Sequence, residues 1–148
     1  MASPLSHILL AAALVVPAGF AQAIDYRSVA QPSILFDTPS DKGKPLFIIA
    51  PGTPVEVVVV LEGWIKVRDA GGALTWIKGD ALKAQRTLMI SAPNAVIRKS
   101  PEAGAPVAFE AVKDVVLELV APPAAGWAQV RHADGATGYV RVTEVWGL

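Results

Sequence analysis

Residues 62–77 read EGWIKVRDAGGALTWI, and residues 125–140 read AGWAQVRHADGATGYV. Both stretches run Gly-Trp, a polar residue between apolar ones, Val-Arg, a Gly-containing turn and an aromatic-aliphatic pair. The correspondence extends outward on both sides. Ser33-Ile34-Leu35-Phe36-Asp37-Thr38-Pro39 matches Ala95-Val96-Ile97-Arg98-Lys99-Ser100-Pro101, and Lys44-Pro45-Leu46-Phe47 falls on Ala105-Pro106-Val107-Ala108 with Phe109 close by. The Val-rich run Val55–Val60 falls on Val116–Val120 within one residue, and Val29-Ala30-Gln31-Pro32 sits where Ile90-Ser91-Ala92-Pro93 sits. A period of about sixty residues is too long for a solenoid repeat and suits a small independent domain written twice.

Each copy reads as short strands separated by turn chemistry: Val and Ile runs punctuated by Pro or Gly. Asp134-Gly135 predicts a two-residue hairpin turn, because Gly accepts the positive φ such turns require, and Gly71-Gly72 occupies the same place in the first copy. With that turn Trp76 falls opposite Val67 and shares its face; a bulge would turn it outward. No stretch keeps a 3.6-residue apolar period for three turns, so helices are limited to single turns such as Gly79-Asp80-Ala81-Leu82. Val55–Leu61 is expected as a central strand with Glu56 and Glu62 guarding an aggregation-prone run. Arg68 and Arg131 are expected to pair with Asp69, Asp134 or neighbours. Trp146 is expected to staple the last strand or the seam between copies.

The pattern apolar-Arg-x-x-Pro, Val-rich strand, Gly-Trp-x-x-Val-Arg, Asp-Gly and Gly-Tyr-Val resembles bacterial SH3-like domains. The resemblance covers nearly the whole chain after its leader as two tandem copies; in the first, Phe36 replaces the usual Arg and Gly71-Gly72 replaces Asp-Gly. The closing Val145-Trp146-Gly147-Leu148 and the Ile34–Ser40 stretch are similar to an exported proteobacterial group of paired SH3 domains. The resemblance implies an all-β protein of two small SH3-like β-barrels, residues 24–84 and 85–148. A lone domain of this size is marginal without staples, and Lys83-Ala84-Gln85 is too short for a flexible linker, so the barrels are expected to pack closely.

Ahead of the repeats, residues 1–23 have the layout of a signal peptide: an apolar run at 8–16 and the small-x-small site Ala21-Gln22-Ala23. The run is shorter than the roughly 20 residues that span a bilayer, so no stable membrane insertion is expected after cleavage. The remainder carries 13 basic and 13 acidic residues, without the basic footprint of a nucleic-acid binder. The chain has no Cys, so an exported protein of this kind depends on its core and not on disulfides. The compartment expected is periplasmic or secreted.

Catalytic machinery is not expected. Past the leader the sole histidine is His132, which reads as a solvated turn residue, and neither a Cys-His dyad nor a typical zinc site can be assembled around it. Carboxylates are scattered singly, and Gly71-Gly72 is no phosphate loop, because no helix or Lys-Ser follows. No cofactor is implied. In SH3-like barrels the Trp of Gly-Trp and the aromatic before the last strand wall a peptide groove. The resemblance places these at Trp64 and Trp76 in the first copy and Trp127 and Tyr139 in the second. Flat rings suit extended peptides, so the expected partner is an envelope protein or the peptide part of peptidoglycan. The competing reading is a structural or inhibitory envelope protein that buries these rings and uses another partner face. A buried Trp alone removes roughly 150–250 Å² from water, comparable in effect to the net stability of a small domain.

Overall fold

The computed structural model describes residues 23–148; the signal-peptide reading falls on residues 1–23 and, Ala23 apart, lies outside the described residues. The first unit comprises β1 (Tyr26–Val29), β2 (Ser33–Phe36), β3 (Pro45–Ile49), β4 (Pro54–Leu61), β5 (Trp64–Arg68), β6 (Leu74–Lys78), a 3-10 turn at Gly79–Ala81 and β7 (Leu82–Lys83). The second repeats it with β8 (Thr87–Ile90), β9 (Asn94–Arg98), β10 (Val107–Val112), β11 (Val116–Leu119), β12 (Trp127–Arg131), β13 (Thr137–Arg141), a 3-10 turn at Val142–Glu144 and β14 (Val145–Trp146). Each unit is one antiparallel sheet curled on itself, in the orders β3-β2-β6-β5-β4-β1-β7 and β10-β9-β13-β12-β11-β8-β14. The all-β, two-barrel architecture read from the repeat is the architecture observed.

Alternation along the strands builds two separate cores. Ile65, Val67 and Ile77 point inward with Val29, Leu35 and Val55; their counterparts Ala128, Val130 and Val140 do so with Ile90, Ile97 and Leu117. A strand buries every second residue, so each inward set fixes an outward set: Trp64, Lys66 and Arg68 on β5, and Leu74, Trp76 and Lys78 on β6.

The hairpin turns differ from the two-residue form. The Asp69 N–H donates to Ala73 O at 3.1 Å and the Gly72 N–H to Asp69 O at 2.9 Å, leaving Ala70-Gly71-Gly72 as a three-residue loop. Gly72 takes the left-handed conformation at φ 89°, and Gly135 does the same at φ 93° in the matching loop, where the His132 N–H donates to Ala136 O. This is a tight turn closed by a one-residue bulge, and the extra residue shifts the register. Val67 therefore faces Thr75, and Trp76 faces Lys66 on the outer surface.

Two other expectations change. Only the first half of β4 is central, pairing with β1 through Pro54–Glu56; a bulge between Val57 and Val59 then carries Val58–Leu61 out of the core along β5 alone, and these four side chains are exposed. Arg68 and Arg131 pair across the strands, not within their turns: Arg68 reaches Glu56 at 2.9 Å and Arg131 reaches Glu118 at 3.6 Å, because directly opposed side chains are closer than turn neighbours.

The barrels meet along a polar and aromatic seam. The Thr87 hydroxyl donates to Gly52 O at 2.7 Å, and Ser28, buried on β1, donates to Gln85 O at 2.8 Å. Arg86 donates to Gly147 O at 2.9 Å while its guanidinium lies 5.6 Å from the Tyr26 ring centre. Trp146 of β14 meets that same ring edge-on, which places this Trp at the seam. Desolvation raises the Tyr26 phenol above its ordinary pKa, reinforced by the Glu56 carboxylate.

Candidate ligand-binding face

The outward set of the first unit gathers rings. Phe36 on β2 lies opposite Trp76 on β6, Trp76 lies opposite Lys66 on β5, and Lys66 lies opposite Val59 on β4. One step along the same face, Ile48 pairs with Ile34, and Lys78 pairs with Trp64, which pairs with Leu61. Phe36 and Trp64 meet edge to face, centroids 5.4 Å apart and planes at 88°. Lys78 Nζ lies 5.8 Å from the Trp64 ring centre and Lys66 Nζ 5.7 Å from that of Trp76, so each cation sits over an electron-rich face. Both Trp rings are half-buried: their edges rest on neighbours while part of each remains open to solvent.

Beside this face runs a groove of about 360 Å³, walled by Ile34 and Phe36 on one side and Lys78, Asp80 and Ala81 on the other, with Asp41 at its rim. Lys78 and Asp41 form an ion pair at 2.6 Å, and the hydrogen bond that Lys78 donates to Asp41 raises the Lys78 pKa. The arrangement offers apolar walls and both signs of charge. Such a surface can hold an extended chain that carries carboxylates and amines.

The second unit uses the same positions differently. Arg98 stands where Phe36 stands, Gln129 where Lys66 stands and Arg141 where Lys78 stands. Trp127 is 8% exposed, covered by the Arg141 guanidinium 4.5 Å from its ring centre. Tyr139 is half-buried between Gln129 and Arg98, and Arg98 is held by donating to Ala105 O at 2.8 Å. Trp64 and Trp76 are thus brought together on one face with Phe36. Trp127 and Tyr139 occupy equivalent places on a different barrel, and Trp127 is closed over.

The sequence reading missed Phe36, Ile34, Asp41 and Lys78 as parts of this face. Phe36 was visible only as a departure from Arg, although an aromatic one strand away from two Trp rings is the signal that would have found it. His132 is not simply solvated: its ring packs 6.1 Å from that of Phe109 and its Nδ1 lies 3.0 Å from Asp134 Oδ1. Among the described residues no three His, Cys, Asp or Glu side chains cluster to hold a metal ion. No described helix is long and apolar enough to cross a membrane.

A family model described as "Bacterial SH3 domain" matches the chain twice, over residues 29–83 and 91–147. No curated protein matches it. Among solved structures, NlpC2 from Trichomonas vaginalis aligns at 17% identity and a TM-score of 0.38, over 84% of this chain and 48% of that one. NlpC1 from the same organism aligns at 18% identity and 0.36, over 95% and 50%. An NlpC/P60 family protein from Bacillus cereus aligns at 14% and 0.35, over 82% and 55%, so this chain spans about half the length of each. The first matched segment takes in β2–β7 with Val29 of β1, and the second takes in β9–β14. The chain belongs to the bacterial SH3 domain family, in two tandem copies.

Proposed function

We propose that this protein is a non-catalytic binding module of the cell envelope, exported to the periplasm or beyond, whose first barrel holds a peptide. The ligand is a segment of an envelope protein or the peptide part of peptidoglycan. In this reading the leader ends at Ala23 and the working units are residues 24–84 and 85–148. One observation carries it: Phe36, Trp64 and Trp76 stand together, half-open, beside a groove of mixed polar and apolar lining that includes Ile34, Asp41, Lys78 and Asp80. Three neighbouring half-open rings are more than a small core needs, and flat rings hold extended chains at low entropic cost. Membership of a family of binding-type domains supports the same class of function. Trp127, closed beneath Arg141, favours a supporting part for the second barrel, with Trp127 and Tyr139 the weaker ligand candidates.

The test is co-sedimentation of residues 24–148 with purified peptidoglycan sacculi, with Trp64→Ala, Trp76→Ala and Trp127→Ala variants run alongside and their folding checked by near-UV circular dichroism. Binding lost in the folded Trp64 and Trp76 variants and kept in the Trp127 variant is the expected pattern. Failure of folded wild type to bind removes peptidoglycan, and a pull-down from envelope extract with the same variants then tests the protein partner. Equal binding by all variants in both assays overturns the site.

A further inference from the structure

The strand β3 closes one end of the first sheet, pairs with β2 alone, and carries no charge from Pro45 to Ile49. Its side chains are open: Phe47 is 64% exposed, Ile48 78% and Leu46 37%, and Ile34 beside them on β2 is 45% exposed. An edge of this kind offers unpaired backbone groups to any second strand, and proteins ordinarily guard it with charge or cover.

The second barrel shows what such a guard looks like in the same chain. Phe109 stands where Phe47 stands, paired with Ile97 as Phe47 is with Leu35, but it packs against its own core and against His132. Glu110 stands where Ile48 stands, a charge on the outer face of the edge. The first barrel lacks both devices: no Phe covers its core from this side, and an Ile replaces the carboxylate.

We infer that the β3 edge of the first barrel is the interface of a homodimer, in which two copies join their sheets through antiparallel β3 strands with Phe47 on the two-fold axis. The strand is self-complementary about Phe47. Antiparallel pairing there sets Leu46 against Ile48, Pro45 against Ile49 and Lys44 against Ala50, so apolar meets apolar and no like charges are opposed. Pro45 brings no N–H, and the pairing therefore runs through Leu46–Ile48. The exposed parts of Leu46, Phe47, Ile48 and Ile34 amount to roughly 450 Å² per copy, so the pair approaches the lower bound of about 1,000 Å² for a specific interface. Interfaces at the low end of the size range are weak or transient, so a wide concentration range is needed to read the equilibrium. Ile34 also walls the groove and Ile48 lies one step along the same face, so each variant is assayed for dimerisation and for ligand binding separately.

Sedimentation equilibrium of residues 24–148, from about 5 to about 200 µM, reads the dimer directly. Ile48→Glu, which copies Glu110 of the second barrel, is expected to shift the protein to monomer at every concentration. Val112→Glu, the same change at a 60% exposed position on the second barrel's edge, is expected to leave the dimer intact. The chain has no Cys, so Phe47→Cys and Ile48→Cys each carry one thiol. On the axis two Cα atoms lie about 4.5–5.5 Å apart, within disulfide range, so Phe47→Cys is expected to cross-link on mild oxidation at least tenfold faster than Ile48→Cys. This comparison holds the register to account even should the Glu variant fold poorly. A wild type monomeric throughout the range, an Ile48→Glu protein that still dimerises, or equal cross-linking rates overturns the proposal. A monomer whose edge takes up an added extended apolar peptide overturns it as well, and assigns the strand to a foreign partner.

Discussion

The Arg141 guanidinium lies 4.5 Å from the centre of the Trp127 ring, directly across the β12–β13 pair, and closes the second barrel's equivalent of the open face. In the first barrel the opposed pair is Trp64 and Lys78, at 5.8 Å, and there the lysine is shared with Asp41. A planar guanidinium covers a ring by stacking; an ammonium is a point charge that covers less of it and can pair with a carboxylate at the same time. Arg141→Ala is therefore expected to uncover Trp127 at a cost of about 0.5–1 kcal/mol. The Trp127 resonance of 5-fluorotryptophan-labelled protein should gain a solvent isotope shift, with no such gain at Trp64. No change at Trp127 would mean that other neighbours bury it.

Tyr26 and Trp146 meet across the seam with ring centroids 5.2 Å apart and planes at 82°, joining the first strand of the first barrel to the last strand of the second. Edge-to-face pairs of this kind contribute about 0.5–1.5 kcal/mol beyond their buried area. Trp146→Ala is expected to lower the second barrel's stability and to separate one thermal transition into two in differential scanning calorimetry. A single transition moved as a whole would show that Ser28, Arg86 and Thr87 suffice to couple the barrels.

Gly138 sits where β13 crosses closest to β9. A Cβ there would collide with Ile97 Cγ2 and stand 2.8 Å from the Arg98 carbonyl oxygen, and the latter cannot move away as a side chain could. The first barrel holds Thr75 at the matching place, buried opposite Val67. Gly138→Ala is expected to destabilise by about 1–3 kcal/mol through overpacking, read by urea unfolding. A neutral result would show that β9 yields readily.

Asp134 accepts a hydrogen bond from the Ala136 N–H at 2.8 Å, and this bond, aided by the one with His132, holds its carboxyl below the usual range. A depressed folded-state pKa stabilises above the unfolded value, near 3.9, and that contribution is lost as pH falls through the folded value. Asp134→Ala is expected to weaken the protein at neutral pH and to reduce the stability lost on acidification below about pH 4. Asp134→Asn, which keeps the acceptor, should lose less at neutral pH. Identical pH profiles for wild type and Asp134→Ala would remove Asp134 from the acid response.

The repeat and the all-β class were legible from the chain because they depend on local rules. Alternation of two, Gly at positive φ and the recurrence of Gly-Trp-x-x-Val-Arg act within a few residues, so they are written in linear order. The number of residues in each hairpin loop was not legible, since Gly71-Gly72 and Asp134-Gly135 fit a two-residue turn as well as a three-residue one. That single residue decided whether Trp76 joined the core or the outer face. The company each ring keeps depended on strands far apart in sequence: Phe36 beside Trp64 and Trp76, Arg141 over Trp127, Tyr26 against Trp146. The sequence by itself thus determined which residues alternate and where the chain turns. Only the tertiary structure decided which outward rings stay open, because exposure is set by the neighbouring strand and a one-residue slip exchanges the two faces.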